Sequence, residues 1–319
     1  MTSPAPERVP RVGWRWTAVA VAAAIAVTAA LLTLRMSADT VLGVTDPGAQ
    51  PRPSITANAP KLNCLAAPSI CGYPDATNTG VRPRVALSRV DGDVHSTREG
   101  QVIEGLDIRG TLYIDHSGVI VQNVKVTGAG GYSWAIWVGK DTPVDNVTIR
   151  DCTVDANRSD QGGVASGEVA SWTMLRCNIR NGENAVRPAG NALIQDNYLH
   201  DFASSSPTPH FDGVEVYAGA GSRIVHNTIV LNRSDTSVVN VQAAFAPVRA
   251  TTIENNLIQG GGWQLNIRSL DGPVTDTTIL NNRFGEDRRY GYAALDVGTV
   301  GLVRGNVRDT TGETIDHEL

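Results

Sequence analysis

Aliphatic residues recur along the chain in one short phrase. It consists of an aliphatic residue, two variable positions, a small or amide residue, one more variable position and a second aliphatic. Copies occupy 121–126, 149–154, 174–179, 194–199, 224–229, 253–258, 279–284 and 302–307, with a weaker one at 103–108. Their spacing, roughly 20–30 residues, is that of a solenoid. Within a copy the apolar parity changes: Val147 and Ile149 alternate with polar residues, then Cys152 and Val154 alternate on the other parity. A strand has a side-chain period of two and cannot change parity without bending. The chain is therefore predicted to turn at Asp151, Asp196, Asn255 and Asn281, types that tolerate left-handed backbone.

A further strand is predicted upstream in most copies, at 135–138, 185–187, 214–216, 239–241, 265–267 and 295–297. Each repeat is then about three short strands with bends between them. Such coils bury their apolar faces on one another as a parallel β-helix, here of about nine coils. Asn197, Asn227, Asn256 and Asn282 share the position held by Cys152 and Cys177 in earlier copies. Stacked, they are expected to form an inward amide ladder.

Composition supports this reading. Aromatics are only 5% while Gly counts 32, which suits short strands joined by tight turns. The net charge of -5, with no Lys/Arg block in the repeats, argues against nucleic-acid binding. An acidic polysaccharide would need a local cation or a bound metal.

The N-terminus is a separate matter. Residues 16–34 form an uncharged apolar run long enough to span a bilayer. Arg8, Arg11 and Arg15 precede it and Arg35 follows, so the positive-inside bias puts 1–15 in the cytoplasm and the rest outside. The alternative is a cleaved signal peptide, leaving a secreted protein. Either way the remainder is exported. Residues 35–61 read as a Pro-rich linker, 62–94 as a lead-in or cap, and 95–319 as the β-helix domain. Four cysteines fit export. Cys64 and Cys71 enclose a short loop and are expected to pair. Cys152 and Cys177, one strand spacing of about 4.8 Å apart, are expected to pair as well; the alternative is two free buried thiols.

With its phrases and Asn positions, the chain resembles the right-handed parallel β-helix superfamily of pectate-lyase-like proteins over roughly 95–310. The segment 71–80 resembles the lead-in of exported bacterial members. The resemblance implies an all-β right-handed parallel β-helix. It does not imply one activity, because lyases, hydrolases, epimerases and binding proteins share the scaffold.

Candidate chemistry lies on the upstream strand. Its outward positions, Arg187, Glu215, Asn240, Asn266 and Asp296, are expected to form a polar column flanked by Gln242, Gln264 and Arg268. Trp134, Trp137, Phe211, Tyr217 and Trp263 lie near the same strands and are candidates to stack on sugar rings. One coil stands out: His210-Phe211-Asp212-Gly213 precedes Glu215 and follows the loop at 204–209, with His200 and Asp201 just upstream. It resembles a His-x-Asp-Gly element of bacterial β-helix proteins and the Asn-Thr-Asp-Gly element of polygalacturonases, which would make Asp212 the matching carboxylate. The chain departs from polygalacturonases in having Ser237 to Asn240 in place of their Asp-Asp pair and no Gly-His-Gly.

The expected catalytic set is His210, Asp212, Glu215 and Arg187, and the expected substrate contacts are Asn240, Asn266, Arg268, Trp263 and Tyr217. Hydrolysis needs an acid and a base carboxyl. Asp212 and Glu215 are the nearest pair, although regular strand geometry would send them to opposite faces unless the chain bends between them; Glu183 and Asp201 are other partners. A lyase would use Arg187 against a uronate and His210 for proton transfer. Ca²⁺ on Asp212, Glu215 and Asp201 is a further option. The expected partner is a polysaccharide, cleaved or, in the alternative, only bound by a glycan-binding or structural surface protein.

Overall fold

The computed structural model describes residues 63–167, 171–232 and 236–319. The apolar run at 16–34, its flanking arginines and the linker lie outside the described residues. Among the described residues no helix is long and apolar enough to cross a membrane.

The described chain is an all-β solenoid of about seven turns. Strands of successive coils pair in parallel throughout the three sheets. The second sheet holds nine strands, one from each copy of the phrase. Nine stacked strands enclose fewer than nine complete turns, because a turn closes only where the chain reaches the next strand. The expectation of about nine coils counted strands.

Each bend falls where the parity change places it. Asn123, Asp151, Asp196, Asn255 and Asn281 have positive φ, and so do Gly105, Arg176, His226 and Gly305 at the same position. Arg176 is an unusual residue for left-handed backbone, whereas His226 is of a type enriched there. Each is tied to the acid at the bend one coil earlier. The Arg176 guanidinium meets Asp151 at 2.7 and 3.0 Å, and His226 Nδ1 lies 2.6 Å from Asp196 Oδ1.

The residue after each bend points inward. Val124, Cys152 and Cys177 fill this column first and are fully buried; Asn197, Asn227, Asn256, Asn282 and Asn306 continue it, each with no exposed surface. Each amide nitrogen from Asn197 to Asn282 donates to the Oδ1 of the next at 2.9–3.0 Å. The ladder is closed at both ends. Cys177 N–H donates to Asn197 Oδ1, and Asn306 Nδ2 donates to Asp316 Oδ1 in the C-terminal segment. Buried amides are costly without partners; here the stack supplies them.

Cys64 and Cys71 form a disulfide, but Cys152 and Cys177 are free thiols. In-register parallel neighbours have parallel Cα–Cβ bonds, which holds their Cβ atoms near the full strand spacing of about 4.8 Å. A disulfide prefers about 3.8 Å. Each thiol instead faces a backbone carbonyl of its own coil, Arg150 for Cys152 and Leu175 for Cys177. Burial, then the neighbouring Cys177, pushes the Cys152 thiol pKa up.

The lead-in runs back along the bends, against the direction of coil winding. Leu65 N–H donates to Asp309 in the last coil, and Tyr73 stacks on His226 while donating to Asn255. Gly80 N–H reaches the Arg176 carbonyl, and Arg82 pairs with Asp151. The first solenoid strand, Ser88–Asp91, follows.

Candidate functional site

The upstream strands stack in register on the large sheet, and this register builds the site. Glu215 is level with Asn240, Asn240 with Asn266, and Asn266 with Ala294. Ala165 is level with Arg187 one coil before Glu215. The column is therefore as expected from Arg187 to Asn266, but it ends on Ala294. Asp296 does not belong to it. Its strand, Gly291–Leu295, pairs Leu295 with Ile267, so Asp296 follows at the level of Arg268.

A second polar level runs beside the first. Asn184 pairs with Asp212, and Ser237 with Trp263. The two levels come together because the chain corners between them: consecutive residues Ala185 and Val186, and Val238 and Val239, are all buried. Alternation fails there, so Asp212 and Glu215 reach the same side. Gly213 makes this approach possible. A Cβ at that position would lie 2.5 Å from the Val238 carbonyl and 2.6 Å from Ile229 Cγ2. The glycine of the His-x-Asp-Gly element is thus a packing requirement of the corner.

Asp212 is 2% exposed. Its N–H donates to Asn184 Oδ1, its Oδ1 accepts from Ser237 N–H at 3.0 Å, and its Oδ2 accepts from Asn240 Nδ2 at 3.3 Å. Asn240 is the lateral neighbour of Glu215, so one amide bridges the two levels. Burial, then the charge of Glu215, raises the Asp212 carboxyl well above its ordinary pKa; Ser237, Asn240 and Arg187 oppose this only in part. Glu215 is ion-paired to Arg187 Nε. The guanidinium lies 4.9 Å from the Trp134 ring and 5.6 Å from that of Tyr217. Burial, then the charge of the neighbouring Glu215, raises the Tyr217 phenol. The two acids thus sit in different surroundings. Those of Asp212 favour its protonated form, and Glu215 is ion-paired to Arg187.

A cleft of about 660 Å³ opens over these residues. Seven of the expected site residues line it: His210, Asp212, Tyr217, Asn240, Trp263, Asn266 and Arg268. Glu215 and Arg187 do not; Glu215 is buried, and Arg187 stands one coil before it with part of its side chain exposed. A smaller cavity of about 420 Å³ sits by the disulfide, against Tyr73, Arg283 and Asp309. Those side chains are occupied in holding the lead-in on the last coil, and they present no acid–base set.

Several expectations are corrected. Phe211 is in the core and Trp134 is buried beneath Arg187, so neither offers a face to a ligand. Trp137 stands one coil before Ala165, outside the cleft. Gln264 is fully buried and donates to the Gly285 carbonyl. Glu183 holds the 204–210 loop through Ser204 and the His210 N–H. Asp201 pairs with His200, away from the cleft. The donors do not fit Ca²⁺ as expected, since Asp201 is elsewhere and Glu215 is committed to Arg187. Among the described residues no group of three or more His, Cys, Asp or Glu is arranged to hold a metal.

The cleft also recruits Pro207, Thr208, Pro209, Thr236, Ser237, Gln242 and Tyr290. Tyr290 packs on Trp263 with ring centres 5.7 Å apart. Nothing in the repeat marks it, because it belongs to the loop before its strand. Ser237 was legible in principle, as the residue one coil beyond Asp212.

Stacked parallel coils, an inward amide ladder and a cleft on the outer face define a parallel β-helix protein. Residues 94–233 match the family model described as the right handed beta helix region, and the chain is a right-handed β-helix protein. No curated protein and no solved structure matches it.

Proposed function

We propose that the chain is an exported, membrane-anchored, carbohydrate-active enzyme of the pectate-lyase-like group, and that it hydrolyses a polysaccharide lying along the cleft. One observation carries this reading: a carboxyl with a raised pKa, Asp212, in the wall of a cleft lined by amides and aromatic rings. A carboxyl still protonated near neutrality can donate to a glycosidic oxygen as its bond to the anomeric carbon breaks. His210, exposed at the lip, is the base that takes a proton from water as that water attacks the same carbon. Arg187 and Glu215 act from outside the cleft lining, by setting the field at Asp212. β-Elimination would need a free cation on a uronate carboxylate beside the reacting bond. Arg187 is already spent on Glu215, which favours hydrolysis over elimination.

The second reading, a non-catalytic glycan-binding protein, draws on the burial of Glu215, which leaves one carboxyl in the wall instead of two. Asp212→Asn separates them, with reducing-end release measured on a panel of polysaccharides and binding measured by affinity electrophoresis. Loss of turnover by roughly 10²-fold or more with binding retained supports an acid at Asp212. Binding without turnover by the unaltered protein leaves the glycan-binding reading. Recovery of the full chain in the soluble fraction would overturn the anchor.

A further inference from the structure

We infer that the cleft selects a sparsely charged glycan, mostly neutral sugars with one anionic substituent seated on Arg268. This rests on the glycan reading above and adds a substrate class to it.

The sheet register supplies a ruler. Gln242 is level with Arg268, and Glu215, Asn240 and Asn266 are successive rungs of the neighbouring column. Rungs are about 4.8 Å apart, so Arg268 stands about 10 Å along the axis from the coil of Asp212. Rung spacing is comparable to the length of a sugar ring. The group on Arg268 therefore belongs to a sugar about two units from the bond that faces Asp212.

The charges on that ruler are few. Among the residues lining the cleft, Arg268 is the one guanidinium and His210 the one imidazole. Arg187 is paired with Glu215 and held against two rings outside the cleft lining. Arg268 is half-buried, and its guanidinium makes no ion pair or hydrogen bond with the described residues. The carboxylate at its own level, Asp296, has its Oδ2 on the Ser269 N–H. A partly desolvated, uncommitted guanidinium is matched by a planar or tetrahedral oxyanion taken in two parallel hydrogen bonds.

The other rungs are neutral. Gln242 and Ser237 offer donors and acceptors suited to sugar hydroxyls, Asn240 and Asn266 are held on Asp212, Tyr217 and each other, and Trp263 with Tyr290 offers an apolar face. A polymer with a carboxylate on every ring would set one opposite the Asp212–Glu215 coil, where no uncommitted cation meets it. That carboxylate would be desolvated beside a buried acid, a penalty that rejects it.

The test is affinity electrophoresis of the full chain in mild detergent, through gels holding galactan, gellan or polygalacturonate. Galactan is neutral, gellan carries a single glucuronate in each repeat, and polygalacturonate is charged on every ring. Gellan is expected to retard the protein most. Arg268→Gln should weaken gellan retention roughly tenfold, the loss of one charge-assisted contact, and leave galactan retention unchanged. Arg249→Gln makes the same charge change on exposed backbone away from the cleft and should change neither. Stronger retention on polygalacturonate than on gellan overturns the inference. So does gellan retention that Arg268→Gln leaves intact. Retention on none of the three removes the glycan reading itself, a result distinct from both.

Discussion

Asn256 gives a measure of what the amide ladder contributes. Its side chain makes four buried hydrogen bonds. Oδ1 accepts from the N–H and the Nδ2 of Asn227 at 2.9 and 3.0 Å, and Nδ2 donates to the Ile224 carbonyl and Asn282 Oδ1 at 2.8 and 3.0 Å. In Asn256→Ala some groups keep other partners. Asn227 Nδ2 still reaches the Ile194 carbonyl, and Asn282 Oδ1 still accepts from the backbone N–H at 256. The Asn227 N–H loses its acceptor outright. An orphaned buried N–H costs about 1–3 kcal/mol and each of the three other lost bonds about 1 kcal/mol, for a sum of roughly 4–6 kcal/mol. That is a large part of the 5–15 kcal/mol typical of a folded domain. Urea unfolding followed by tryptophan fluorescence reads the change, with circular dichroism as a second probe to establish that the transitions coincide. A loss below about 1 kcal/mol would refute the reasoning, because the ladder would then be a passive stack in which neighbours re-form every bond.

Two other predictions follow from the titrating groups. Asp212 has a folded pKa raised by burial and by Glu215, so the folded state holds its proton more tightly than the unfolded chain does. Its contribution is fully present below the unfolded pKa and is lost as pH rises through the folded value. Asp212→Asn should therefore gain stability relative to the unaltered protein on going from mildly acidic to mildly alkaline pH, read as the shift in melting temperature; an equal difference at both ends would contradict the shift. Asp151 behaves oppositely: burial pushes its carboxyl up, but bonds from Arg176 and Arg82 outweigh that and hold it low. It stabilises above the unfolded pKa, and that contribution is lost as pH falls through the folded value. Cys152 and Cys177 should both resist a thiol reagent in the native protein and both react in denaturant, since neither exposes any surface. The absence of reactive thiols after denaturation without reductant would restore the disulfide.

The repeat was legible because it obeys local rules. A change of parity must be a bend, and Asp or Asn at the bend marks left-handed backbone; the structure puts Asp151, Asp196, Asn255 and Asn281 there. The ladder was legible because in-register stacking places like on like. The same rule misled at Cys152 and Cys177, where adjacency satisfies the Cα distance but not the direction of the side chains. At the site, the residues were legible and their depth was not. Periodicity marks Glu215 and Arg187 as outward, yet Glu215 is buried and paired with Arg187, whose guanidinium packs on the rings of Trp134 and Tyr217 instead of lining the cleft. Tyr290 and the 207–209 segment come from loops, whose paths no period fixes.

The placement of the site follows from the difference between like and unlike rungs. Where identical residues align, as from Asn197 to Asn306, each side chain spends its hydrogen bonds on its neighbours and none remain for a ligand. Where the sequence breaks the repeat, neighbours cannot satisfy one another fully. Arg187 and Glu215 neutralise each other, but Asp212 stands beside that pair on the next level with two neutral donors and no cation of its own. The Gly213 corner brings the two levels together, and Asn240 joins them. Burial and the neighbouring Glu215 raise the pKa of a carboxyl in that position, the direction that favours its protonated form. One irregular coil in a regular stack thus sets this cleft apart: the stack lays out a straight run of neutral rungs, and the irregularity leaves an acid along it that no neighbouring coil neutralises.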